Sequence, residues 1–175
     1  MASALVLLAV AGHCAARLVQ AGRAAARHAP DLLMALGLAA MLWPLGDPIP
    51  PPAGEVAFGL VVAWSLVGAL AARETDRRVA WVHHAAGGAA MVYMFAAMSA
   101  APFGPLTWVL IAYFVSFAAW SALATARGLA SGVGRVAAAT GPARTLPAVV
   151  LAPPAVSLCH TVMGIAMVYL LLAMR

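Results

Sequence analysis

Residues 79–98 read VAWVHHAAGGAAMVYMFAAM and contain no Asp, Glu, Lys or Arg. A helix that crosses a bilayer needs about 20 mostly apolar residues, and this run supplies them. Within it Gly87, Met91, Met94 and Met98 follow His84 at offsets of 3, 7, 10 and 14. At about 100° per residue, these positions lie in one stripe roughly 80° wide. One face of an apolar helix therefore carries an imidazole and three thioethers.

The same spacing recurs on two further apolar runs. One reads Asp31, Met34, Leu38, Met41, and the other His160, Met163, Met167, Leu170, Met174. Together the three stripes hold all eight internal Met of the chain, and the runs between them hold none. Repeats of this kind come first in reading an architecture.

Composition fixes the setting. Of 175 residues, 65% are hydrophobic and only 9% charged, with mean hydropathy +0.99. A soluble domain carries roughly 25% charged residues, so too few are present to cover a water-facing surface. A soluble enzyme and a disordered chain are excluded on this ground. The high pI comes from Arg alone, spread along the chain, which argues against nucleic-acid binding. The expected fold is an all-α integral membrane protein with lipid as its surroundings. Its six transmembrane helices are placed near 3–19, 30–45, 56–72, 79–98, 104–126 and 155–174. They form three hairpins in a single transmembrane domain over 1–175.

Arg17, Arg23 and Arg27 flank the first loop, Arg73, Arg77 and Arg78 the third, and Arg127, Arg135 and Arg144 the fifth. The second loop carries Asp47 and Glu55 without Arg. The positive-inside rule puts the Arg side in the cytoplasm and both termini outside, in a multi-pass protein of a bacterial plasma membrane. The first apolar run lacks a basic segment before it, so it reads as a span and not as a signal peptide. Residues 128–154, rich in Gly, Ala and Pro, read as a flexible cytoplasmic loop with room for a short interfacial helix near 133–139. Trp43, Trp81 and Trp108 fall near helix ends, as interfacial anchors do.

In this topology the second, fourth and sixth helices run parallel. Their anchors Asp31, His84 and His160 lie at similar depth, near the cytoplasmic end. If the stripes converge, they stack as layers: Asp31, His84, His160; then Met34, Gly87, Met163; then Leu38, Met91, Met167; then Met41, Met94, Leu170. Met98 and Met174 close the outer end. Thioether sulfur is soft and uncharged, and it selects Cu(I) over Mg²⁺, Ca²⁺ or Zn²⁺. Histidine inside a membrane is costly and marks function by default. Against this stands packing: the same offsets form the a/d seam of a helix bundle, and any single Met is an ordinary gap-filler. Asp31 also suits a first helical turn whatever the function. His83 and Cys159 precede their anchors and point about 100° away, as an inner-mouth ligand pair or as helix contacts. His13 and Cys14 sit within the first helix. Two Cys on different helices argue against a structural disulfide.

At His84-x6-Met91-x2-Met94 and His160-x2-Met163-x3-Met167 the chain resembles an actinobacterial family of small integral membrane proteins classed as a domain of unknown function. That family repeats His-x2-Met-x3-Met-x2-Met on several helices, and the likeness spans most of the chain. Here Asp31 replaces His, Gly87 replaces Met, and Leu38 and Leu170 replace Met. The resemblance implies the fold and the repeat, and it carries no activity.

The expected function is copper binding, as Cu(I), for transport, storage or delivery to a copper-accepting protein. One alternative is electron transfer through b-type haem, with His84 and His160 as axial ligands and His13 as a third candidate. Another is a structural or accessory subunit of an oligomer, with Met as packing. No nucleophile, base and acid stand together, so enzymatic activity is not expected. Cysteines introduced at Arg77 and Ser131 should react with membrane-impermeant reagents only from the cytoplasmic side. Labelling from outside would invert the topology.

Overall fold

A computed structural model describes residues 2–20, 29–43, 49–101, 103–138 and 153–174. Among these residues all regular structure is helical: α1 (Ala2–Gln20), α2 (Ala29–Met41), α3 (Pro51–Ala71), α4 (Thr75–Ser99), α5 (Gly104–Ala138) and α6 (Pro153–Ala173). These correspond to the six apolar runs of the sequence. Two stretches, Pro51–Ala71 and Gly104–Arg127, each of mean hydropathy 1.8, are long and apolar enough to cross a membrane. α2 has 13 residues, about 20 Å at 1.5 Å each, against about 30 Å of hydrocarbon. α4 is long enough but opens on Thr75, Asp76, Arg77 and Arg78 and carries its two His in an Ala- and Gly-rich middle.

Helix boundaries depart from the sequence reading at three places besides the start of α4, which lies at Thr75 and not at 79, so that Arg77 and Arg78 belong to its first turns and not to a loop. α3 begins at Pro51, five residues early, because Pro50 and Pro51–Pro52 suit a helix start, where a missing N–H removes no bond. Glu55 is consequently inside a helix and not in a loop. α2 stops at Met41, followed by a closing turn in which the Trp43 N–H donates to the Ala40 carbonyl at 3.1 Å. Pro44 disfavours helical geometry at the residue before it. The third departure corrects the expected loop: α5 continues to Ala138 through its first eleven residues, 128–138. Ala, Arg and Leu favour helix, and no Pro intervenes before Pro142. The remainder of that loop, 139–152, lies outside the described residues.

The contacts gather into two compact units, Met1–Gly104 with Met174–Arg175, and Pro105–Ala173. In the first, α3 and α4 form an antiparallel hairpin across a three-residue turn. Arg78 closes the turn by donating from Nη2 to the Ala72 carbonyl at 3.1 Å. The register is legible from three close approaches. Phe95 covers Gly54, Val61 and Val62 cover Gly88, and the Trp81 ring covers Gly68. Each step of seven residues up α3 is a step of seven down α4. This is the spacing of a heptad seam, with Phe58 and Phe95 stacked across it at 5.9 Å between ring centres. Trp81 thus serves as a packing residue on α3.

α2 lies on a second face of α4, and α1 packs on α2. Asp31 meets His84, Met34 meets Gly87, and Gly37 meets Met91. The pairs advance in the same direction on both helices, so α2 and α4 are parallel. Gly37 is fixed by close approach: a Cβ there would run into the Phe58 ring and stand 2.7 Å from Met91 Cε.

In the second unit α5 buries Thr107, Ile111, Phe114, Ala118 and Ser121 at helical spacing. α6 crosses it at Gly164, where a Cβ would stand 3.2 Å from Ala118 Cβ. Its buried side chains are Met163, Ala166, Met167, Leu170 and Leu171.

Gly37→Leu should destabilise the first unit by about 1–3 kcal/mol, the usual range for overpacking, while Gly12→Leu, in open space, should be close to neutral. Thermal unfolding in detergent checks the pair. Equal midpoints for both variants would contradict the three-helix junction.

Candidate metal centre

Three helices of the first unit bring polar side chains to one level. Asp31, in the first turn of α2, and His84, in α4, are both buried, with Oδ1 and Nδ1 3.6 Å apart. That separation lies beyond a good hydrogen bond and within ion-pair range if the imidazole is protonated. His13 of α1 lies within Coulombic range of Asp31 and Arg17. Next to it, Cys14 is buried and forms no disulfide.

The third contribution, Ser65, was not anticipated from the sequence. It lies four residues after Val61 on α3, and His84 lies four before Gly88 on α4, so the hairpin register sets them opposite each other. Ser65 is fully buried, and its hydroxyl has no hydrogen-bond partner among the described residues. Other helical hydroxyls behave differently. Ser116, Thr125 and Thr161 donate to the carbonyl four residues earlier at 2.8–2.9 Å. Apart from Glu55, Ser65 is the lone hydroxyl, amide or charged side chain in α3. That isolation was the available signal.

The thioethers begin one turn above. Met34 Sδ occupies the space over Gly87, where an added Cβ would stand 2.5 Å from the sulfur. The Gly at the repeat's Met position thus accommodates the thioether of the neighbouring helix. Met91 and Met94 are fully buried and Met34 nearly so. Leu38 is fully buried at the third layer. Met41, at the end of α2, is half-buried, and Met98 is 41% exposed. The ladder is therefore enclosed through Met94 and opens beyond it.

α6 carries its own stripe in the second unit. Met163 and Met167 are buried, and His160 is half-buried with its ring 6.0 Å from Phe117. Cys159 is half-buried and forms no disulfide. Met174 follows the last helical residue of α6 and is half-buried. His83 is half-buried beside His84, with ring centres 6.0 Å apart. Among the described residues no three His, Cys, Asp or Glu side chains come close enough to form a metal-binding group. Any metal held along these stripes would depend on thioether donors.

A buried hydroxyl without a partner costs about 1–3 kcal/mol. Ser65→Ala should therefore raise stability by about 1 kcal/mol, measured by thermal unfolding. A loss of similar size would show that the hydroxyl is bonded within the Asp31–His84 level.

No curated protein and no solved structure matches the chain. Residues 23–174 match the family described as Domain of unknown function (DUF5134). The match takes in α2 to α6 with all three Met-bearing stretches and leaves out α1, and the chain belongs to this family.

Proposed function

We propose that the protein is a multi-pass membrane protein that binds Cu(I) through thioether ladders entered at His84 and His160. The observation that carries this reading is the enclosed column of Met34, Met91 and Met94 above the buried Asp31–His84 pair. Soft neutral sulfur suits Cu(I) and discriminates against harder cations. Among the described residues the donors along the column are thioethers with one imidazole, a softer set than the His, Cys and carboxylate ligands of zinc sites.

The pair itself suggests a division of roles. Asp31 faces Nδ1 of His84, which leaves Nε2 as the ligating nitrogen. A carboxylate behind a metal-binding His orients the ring and raises its basicity. In this reading Asp31 is a positioning residue, and His84 is the first ligand. Met163, Met167 and His160 offer the same donors on α6. Met41, Met98 and Met174 sit at the outer ends, where ions would be handed on to a copper-accepting protein. His13, His83 and Cys159 are auxiliary donors beside the two anchors.

A second reading is a packing seam, and it too has an observation behind it. Met91 Cε fills the space beside Gly37 together with Phe58, as a core methionine does. The two readings separate on metal. Replacing Met91, Met94, Met163 and Met167 with Leu, a swap of similar volume, should leave the protein folded and remove most Cu(I) bound under reducing conditions. His84→Ala with His160→Ala should instead weaken the pH dependence of binding, because imidazole must be neutral to ligate a metal. Unchanged copper stoichiometry in the four-Met variant would establish the packing seam.

A further inference from the structure

An apolar groove of about 740 Å³ lies between α2 and α3 in the first unit. Pro30 and Leu33 line it from α2, and Leu60, Val61, Trp64 and Val67 from α3. No charged, hydroxyl or amide side chain lines it, so a polar ligand or an extended peptide would find no partner for its hydrogen bonds. Its α3 wall runs from Ala57 to Val67, about 15 Å at 1.5 Å per residue. A length of about 15 Å with an apolar lining matches an extended acyl chain. The groove is shaped for hydrocarbon chains.

Charge identifies the molecule that would bring them. α3 is antiparallel to α4, and α2 is parallel to it, so the start of α2 lies level with the end of α3. The groove's Pro30–Val67 end therefore faces the Ala72–Glu74 turn and the first residues of α4. In that turn Glu74 pairs with Arg77 at 3.2 Å, and Arg78 is held by the Ala72 carbonyl. Arg73 is exposed and has no partner among the described residues. A guanidinium is the preferred partner of phosphate. We infer that the α2–α3 groove is a binding site for an anionic phospholipid, its acyl chains along Leu60 and Val67 and its phosphate on Arg73. The inference rests on the membrane-spanning reading of α3 and is independent of copper.

The test is native mass spectrometry of the full-length protein in detergent, supplied with phosphatidylglycerol or phosphatidylcholine of the same acyl chains. The wild type should retain phosphatidylglycerol with about fivefold preference, the contribution of one Arg near an anionic surface. Arg73→Gln should equalise the two lipids while still binding both. Ala57→Leu with Ala63→Phe, at exposed lining positions, should abolish retention of either, with an unchanged unfolding midpoint as control. Equal retention of the two lipids by the wild type would overturn the inference, as would undiminished retention by the filled variant. A dimer of the wild type that dissociates in the filled variant would also overturn it, by assigning the groove to a second copy. Extraction by alkaline carbonate separately tests whether the chain is integral to the membrane.

Discussion

The close approach of α4 to two neighbours at once is the constraint on which the first unit depends. One face of α4 meets α3 through Gly88 and Phe95, and the adjoining face meets α2 through Gly87 and Met91. Small residues at these points permit backbone contact and the dispersion gained from it. His84 belongs to both seams, facing Asp31 on one side and lying opposite Ser65 on the other. Any change in the separation of either pair of helices would move it.

That position explains why polarity can be tolerated there. An isolated charge in a bilayer core is expensive, and ionisable residues in such segments face one another or a functional path. Asp31 and His84 face one another near the end of the unit where Arg73, Arg77 and Arg78 gather, so the polar level lies toward the charged end of the unit. Above it the side chains become thioether and hydrocarbon only. A cation moving up this column would exchange a carboxylate-backed imidazole for neutral sulfur. Met98 marks where enclosure ends.

The groove and the column lie on opposite aspects of α2. The helix turns Asp31, Met34 and Leu38 toward α4, and it leaves Leu33 and Leu36 exposed at 46% and 44%. A short helix of 13 residues can serve both because its polar residue is confined to the first turn. Lipid held against its outer side would support the geometry of the inner one.

Much of this was legible in the sequence because helical periodicity is local. The phase of Asp31, Met34 and Leu38 against His84, Gly87 and Met91 follows from spacing alone, and all six side chains or backbones are buried in the folded unit. Gly87 and Gly88 could be read as points of close approach, since two adjacent residues without a side chain in an apolar helix leave room for a neighbour. The extent of α5 could not be read, because Gly weakens a helix without ending it and the decision rests on small differences in propensity. Ser65 was also hidden. A helical hydroxyl ordinarily donates to the carbonyl four residues before it, as Ser116 does, and the relation of Ser65 to His84 exists only through the heptad register of α3 on α4. Sequence determines which residues share a face of one helix, because 3.6 residues per turn holds for every chain. Which helix that face meets, and at what height, was decided by tertiary packing, where the volumes of Phe58, Trp81 and Met34 against facing glycines leave one register that fits.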